Sequence, residues 1–449
     1  MRRPLLRLAA LGAALFACMA GALALHVPGA DTVGSIARTN VFVAVLAVGS
    51  VLYLASVHLV VNTRLPRGAI WLVLGVAVGM RAMLLPAPPF LSSDIYRYVW
   101  DGQVQAAGIN PYRYVPADPA LASLRDPAVF PLINRADWAR TIYPPGGQAI
   151  FVTVGEITRT VLGMKLAMAA FDVVAMLCAM ALLAQAGLPQ VRLLIYAWNP
   201  LVLWAFACDG HVDAAAIGLL AVALLCRARR KLGVAGAVLA AAALVKLLPV
   251  AVAPAFLRKG RVWRPALAGF AVVAVLYAAY LSAGWHVLGF LPAYGQEEGL
   301  ASGDGIWLLN GLSHLFALPD GAAVVYALAA VALFAWLSAA IAGDRLGAPA
   351  NEVTTLCRDT AILAACATVA ISPHYFWYFA WLAWPSVVAP MPAVIWLSVA
   401  PIALYIDPLH ERFVWPSLVY VPAAVLALSA LRRRRVLSRR TVITAEGSS

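Results

Sequence analysis

Long apolar runs broken by short charged turns fill most of the chain, and a single polar island interrupts them. The runs fall near 5–26, 40–61, 69–87, 165–186, 191–208, 213–226, 232–246, 247–257, 264–283, 321–341, 359–372, 376–389, 391–406 and 416–431. Most are roughly 15 to 22 residues long, which suits helices crossing a hydrocarbon core of about 30 Å. The pattern predicts an all-α, polytopic integral membrane protein of about fourteen segments. A transmembrane β-barrel would instead show alternating segments of about ten residues. No tandem repeat or soluble domain emerges, so 1–449 reads as one membrane domain.

The island opens at Pro88 and runs to Gln148; with the juxtamembrane helices after it, it forms a large loop, 88–164, following the third run. A second polar stretch covers 284–320. Ser92 and Ser93 can cap a helix starting at Asp94, and Gly108 with Asn110-Pro111 can end it. On that short surface helix Asp94, Arg97, Tyr98, Asp101 and Gln105 form one polar stripe. Asp94 and Asp101 are seven residues apart, so their backbones stand roughly 10 Å apart along the axis, too far to grip one metal ion together.

Composition supports the membrane reading. The chain is 63% hydrophobic and 12% charged, with mean hydropathy +0.85, whereas soluble domains carry about a quarter charged residues. The net charge of +13 could suggest nucleic acid, but no basic stripe interleaved with aromatics appears in a soluble segment. Topology explains the basic residues better. With the N-terminus inside, two thirds of the 33 Lys and Arg fall in short cytoplasmic loops and flanks, including Arg2, Arg3, Arg7, Arg227 to Lys231, Arg258 to Arg264 and Arg432 to Arg435. Both termini then lie in the cytoplasm and the island outside it. The N-terminal run imitates a signal peptide but exceeds the usual core of about 7 to 15 residues, so an uncleaved first span is expected. Six widely spaced cysteines, with no C-x-x-C pair, predict neither a disulfide framework nor a zinc site.

The candidate chemistry follows from this topology. Asp94, in the first turn of its helix, suits a general base; Asp101 fits either that role or an ion pair with Arg97. Lys246 sits near the outer apex of a hairpin spanning 232–257. A lysine there costs roughly 2.5 to 3.5 kcal/mol at mid-bilayer unless it snorkels or finds a partner, and a phosphate would be one. Arg97 and Arg113 are further phosphate candidates. His211, beside Asp209 and Asp213, and His374 lie at outer helix ends, without a metal-ligand signature. Asp172, within a span, fits cavity lining or a bond to a neighbouring helix. Glu297, Glu298 and Asp304 read as solvated charges. Tyr112, Tyr114, Trp138 and Tyr143 along the island fit interfacial anchors, of which one or two could instead serve as a sugar platform.

The pattern D-x-Y-R-Y-x-W-D-G-x-x-x-x-x-G-x-N-P-Y from Asp94 to Tyr112, with YPP at Tyr143 to Pro145, resembles the bacterial polyprenol-phosphate-mannose-dependent mannosyltransferases of the GT-C superfamily. WNPLVLWAFACDGHVD (Trp198 to Asp213), VKLLP (Val245 to Pro249) and SPHYFWYFAW (Ser372 to Trp381) are similar to its later motifs. The resemblance implies an inverting transfer of a sugar, mannose first, from polyprenyl phosphate to a glycan or glycolipid at the outer face of the plasma (inner) membrane. It implies Asp94 as catalytic base with Asp101 as second candidate. It raises His211, Asp213, His374, Tyr98 and Tyr143 to acceptor or sugar contacts. No cofactor or metal is predicted. A lipid phosphate has a final pKa of about 6, so the leaving group needs no second acid. The rival is a carrier or flippase of lipid-linked sugars, for which ionisable groups near mid-membrane and matching broken helices would be expected; here the acids cluster at outer ends.

Overall fold

The protein is described by a computed structural model covering residues 2–25, 33–258, 262–347, 351–406 and 413–446. Among these residues it is helical throughout, without a strand. The longer helices are α1 (Arg2–Ala24), α2 (Val33–Asn62), α3 (Ala69–Leu84), α4 (Asp94–Ala106), α5 (Pro145–Ile157), α6 (Val161–Gln185), α7 (Asp213–Ala228), α8 (Leu232–Val245), α9 (Trp263–Ala278), α10 (Ala322–Ala342), α11 (Glu352–Ile371) and α12 (Val414–Glu446).

Every apolar run meets helix, but not every helix is a full crossing. Among the described residues six are long and apolar enough: α1, α2 from Arg38, α6, α10, α11 and α12 to Arg433. Two bent pairs, Gln190–Ala197 with Pro200–Cys208 and Trp263–Ala278 with Leu281–Glu297, raise the number to eight if each is one span. The remaining runs fold as shorter helices, such as α3, α8, Leu248–Leu257 and Pro392–Tyr405. The physical reason is visible in the runs themselves. Pro200, Pro249, Pro385, Pro392 and Pro401 sit inside them or at helix starts, where each removes a backbone donor and ends a preceding helix. The chain is a polytopic helical membrane protein, with fewer unbroken spans than its fourteen apolar runs.

Asp172 of α6 accepts from Arg81 Nε of α3 at 2.6 Å and from the Tyr196 hydroxyl at 2.6 Å. It therefore ties neighbouring helices together, the second of its two expected roles, and does not line the main cavity.

The island packs on top of this body. α4 starts at Asp94 as expected; the Ser92 hydroxyl accepts from its first N–H at 3.2 Å, and Gly108 turns the chain away at φ +77. The helix is not a surface element. Ile95 and Arg97 through Val104 are buried, because α5 covers one flank and the loop between α4 and α5 covers the other. At Gly102 a β-carbon would stand 2.4 Å from the Phe151 carbonyl oxygen, and at Gly155 one would stand 2.8 Å from Gly102. The two helices thus touch backbone to backbone. The polar stripe of α4 is divided between two environments, with Arg97, Tyr98 and Asp101 buried and Asp94 partly exposed.

Candidate active site

Three stretches far apart in sequence meet at the first turn of α4. The first is Asp94 itself. Its Oδ1 accepts from Asn134 Nδ2 at 3.1 Å, while Oδ2 faces His211 Nε2 at 3.2 Å. The second stretch brings His211. After Asn199, whose side chain caps the turn that Pro200 begins, Leu203–Cys208 winds as a wide π-helical turn. The N–H groups of Asp209 and His211 still reach back to Trp204 O and Ala205 O, at 2.9 and 2.8 Å. Gly210 takes φ +63, a left-handed conformation that glycine adopts without penalty. Asp209 Oδ1 accepts from the N–H groups of Phe90 and Leu91 at 2.8 and 3.2 Å, fastening the entry to α4 onto this bend. The other imidazole nitrogen, His211 Nδ1, bonds Asp213 at the start of α7.

The third stretch is the end of α8. Lys246 leaves the helix in an extended conformation, and its ammonium donates to both Asp213 oxygens at 2.8 and 2.7 Å. It lies 3.9 Å from the centre of the Tyr378 ring, a favourable seat for a cation. Asp94, His211, Asp213 and Lys246 therefore form one continuous chain of contacts. Trp377 stacks on His211 at 4.6 Å and Tyr375 stacks on Trp377 at 4.6 Å, so the imidazole is held flat against aromatic rings.

The electrostatics follow from this chain. Burial would raise the Asp94 carboxyl, but the hydrogen bond and charge of His211, with Asn134 and Lys246, outweigh it and hold the group at about 2. Burial would lower His211; the charge and hydrogen bond of Asp213 and the bond to Asp94 reverse that and raise it above 6.5. Burial, then the charge of Asp94, pushes the phenols of Tyr98 and Tyr143 well above their usual value, which keeps them neutral.

A cavity of about 820 Å³ opens in front of these groups. Asp94, Arg97, Asn134, Arg135, His211, Lys246 and Glu297 give it a polar side; Leu247, Leu248, Val250, Ala251 and Ile371 give it an apolar side. Leu247 and Val250 are 44% and 60% exposed, so the apolar side faces outward from the protein body.

The sequence candidates separate here. Asp94, Arg97, His211, Lys246 and Tyr143 line the cavity, with Asp213 directly behind. Asp101 does not line it. It is buried, bonded to Arg97 Nε at 2.8 Å and to Gln148 Nε2 at 2.8 Å, as in an internal ion pair. Arg97 spends its remaining reach on the Ala139 carbonyl, at 3.1 Å. Tyr98 is fully buried, stacked on Phe151 at 4.7 Å. Arg113 is exposed and away from the cavity. His374 binds Glu298 at 2.9 Å and the Gly305 carbonyl at 3.1 Å, tying the second polar stretch to the helical body. Glu298 is thus buried, while Glu297 and Asp304 are exposed, Glu297 paired with Arg135. Asn134 has no periodic or motif signal to mark it, while Tyr378 lies within the SPHYFWYFAW stretch without standing out from its aromatic neighbours. No group of three or more His, Cys, Asp or Glu side chains suited to a metal ion occurs among the described residues.

Helices of spanning length below, and a cavity with one charged and one apolar wall above, fit a multi-pass membrane protein of the glycosyltransferase class. Residues 5–259 match the family described as "Alpha-(1->6)-mannopyranosyltransferase, N-terminal domain", and the chain belongs to that family. The matched stretch contains Asp94, His211, Asp213 and Lys246. Among solved structures, ArnT from Cupriavidus metallidurans bound to undecaprenyl phosphate is similar over 81% of this chain and 76% of its own, at 15% identity and a TM-score of 0.35. No curated protein matches the chain.

Proposed function

We propose that the protein transfers mannose, or a related sugar, from a polyprenyl phosphate to a hydroxyl of a glycan or glycolipid, with inversion at C1, at the extracytoplasmic face of the plasma membrane. The observation that carries this reading is that the Asp94 carboxylate and the Lys246 ammonium face one cavity and are coupled through His211 and Asp213. The acceptor oxygen forms the new bond to C1 as the bond from C1 to the phosphate oxygen breaks. The acceptor proton passes to Asp94, and the electron pair leaves with the lipid phosphate, whose charge Lys246 meets.

Asp94 is a weak base at about 2, but it is ionised at neutral pH and fixed in place by Asn134 and His211. A positioned base of this kind contributes about 10² to 10⁴ in rate. Lys246 has two protons engaged by Asp213, which leaves a third for a phosphate oxygen. The apolar wall of Leu247, Val250 and Ile371 suits a prenyl tail, so the tail can stay in the bilayer while the headgroup enters sideways.

The alternative of a carrier finds little support, because Asp172 is already bound by Arg81 and Tyr196. The deciding experiment mixes purified protein with radiolabelled polyprenyl-phosphate mannose and candidate acceptors, comparing wild type with Asp94→Asn. Transfer by wild type that drops at least about a hundredfold in the variant is expected; no transfer, or an equally fast variant, sinks the proposal.

A further inference from the structure

A transferase of this kind must seat an acceptor with one hydroxyl toward Asp94, and the base alone cannot hold a sugar. Tyr98, one of the tyrosines expected to contact a sugar, lies inside the protein, stacked on Phe151 and crossed by Tyr143 at 4.9 Å. It presents no face to a ligand. Trp138 does: it lines the same cavity as Asp94 and is 57% exposed. Phe290 meets it at right angles, with ring centres 4.9 Å apart, which fixes the indole while leaving more than half of it open.

The turn that carries Trp138 is strongly held for a segment without regular structure. Arg135 adopts φ +54, uncommon for a residue with a β-carbon, and its carbonyl accepts from the N–H groups of Trp138 and Ala139 at 3.4 and 3.0 Å. Ala136 O accepts from Ala117 N at 3.0 Å. Ala139 O accepts from the buried Arg97, which Asp101 holds in turn. At the other end Asn134 bonds Asp94 directly. Membrane anchoring explains an interfacial tryptophan, but not a turn bonded at one end to the catalytic carboxylate and bearing an open indole near the other. A backbone conformation of this sort tends to persist where surrounding structure enforces it for a purpose.

We propose that Trp138 is the stacking platform of an acceptor subsite, taking a neutral pyranose of a glycan chain next to the residue whose hydroxyl is activated. The C–H face of a pyranose is apolar and packs on an indole, and tryptophan offers that area with only two side-chain torsions to freeze. Arg135, beside the indole, has its charge met by Glu297, in keeping with an uncharged ligand. The inference rests on the transferase reading for its choice of ligand.

The test is equilibrium binding, by calorimetry, of an α-1,6-linked mannotetraose and, separately, of a polyprenyl phosphate to detergent-solubilised full-length protein. Wild type, Trp138→Ala and Trp138→Phe are compared, each checked for a monodisperse, folded state. The alanine variant is expected to bind the mannotetraose about tenfold more weakly, and the phenylalanine variant to retain most of the affinity, with polyprenyl phosphate binding unchanged in both. Wild-type affinity in Trp138→Ala, loss of both ligands together, or no mannotetraose binding by wild type overturns the subsite. If wild type binds both ligands but transfers no sugar, the transferase reading falls while the subsite stands.

Discussion

The Lys246 ammonium grips both carboxylate oxygens of Asp213, at 2.8 and 2.7 Å, from a helix end 33 positions further along the chain. That grip gives a lysine flanked by apolar residues a counter-ion and aims it into the cavity. Lys246→Met should weaken polyprenyl phosphate binding about ten- to a hundredfold, the worth of one charge-assisted hydrogen bond. Asp213→Asn should weaken it less, since the ammonium survives without its tether. Equilibrium binding of polyprenyl phosphate reads both; unchanged binding in Lys246→Met would remove this residue from the donor site.

The two aspartates of α4 should part company on mutation. Asp94 is partly exposed in the cavity, with 24% of its side chain accessible, so Asp94→Asn should abolish transfer and lower thermal stability less than a change in the fully buried pair. Asp101→Asn leaves the buried Arg97 without its counter-ion, which typically costs about 3 to 5 kcal/mol. Thermal unfolding with a parallel transfer assay separates them, and an Asp101→Asn protein of wild-type stability would contradict the internal pair.

Protonation gives a third expectation. The His211 imidazole is raised above 6.5 in the folded protein, so its contribution to stability is complete below pH 6.5 and fades as pH rises through the raised value. Asp209, pushed up to about 7 by burial, acts in the same sense. Stability should therefore decline as pH rises from about 4 to about 7 on account of Asp209 and above 6.5 on account of His211, so His211→Gln should flatten the decline on the alkaline side while the decline below pH 7 remains. Asp94, held near 2, adds stability that is lost only as pH falls through that value. Unfolding curves across this range that coincide for wild type and His211→Gln would refute the charged bridge.

Gly102 marks the contact of α4 with α5. A β-carbon there would stand 2.4 Å from the Phe151 carbonyl oxygen, so Gly102→Ala must push the helices apart. Destabilisation of about 1 to 3 kcal/mol is expected, with a fall in transfer as Asp94 shifts. A variant as stable and active as wild type would show that the packing is looser than described.

Local signals in the sequence were enough for α4, because Ser92, Asp94 and Gly108 act on their own neighbours. Lys246 stands out as a charge in apolar surroundings, and Asp94 by its place in the first turn of α4 and in the family-like pattern. What decides Asp101, by contrast, is Gln148, which lies 47 residues away. Glu298 looked solvated beside polar neighbours, yet its partner is His374, 76 residues on. The turn from Asn134 to Ala139 has no period at all, so the bond of Asn134 to Asp94 becomes visible only once the island folds. Hydropathy marked the apolar runs, of which six to eight are helices long and apolar enough to cross among the described residues.

The widened turn at Leu203–Cys208 has one more implication, for insertions and deletions. It packs an extra residue into the winding, and each residue of an α-helix advances the direction of a side chain by about 100°. Removing one residue from this turn would restore ordinary winding and swing His211 away from Asp94. The site therefore depends on the length of this segment, and its spacing has to survive even where the identity of its apolar side chains can change.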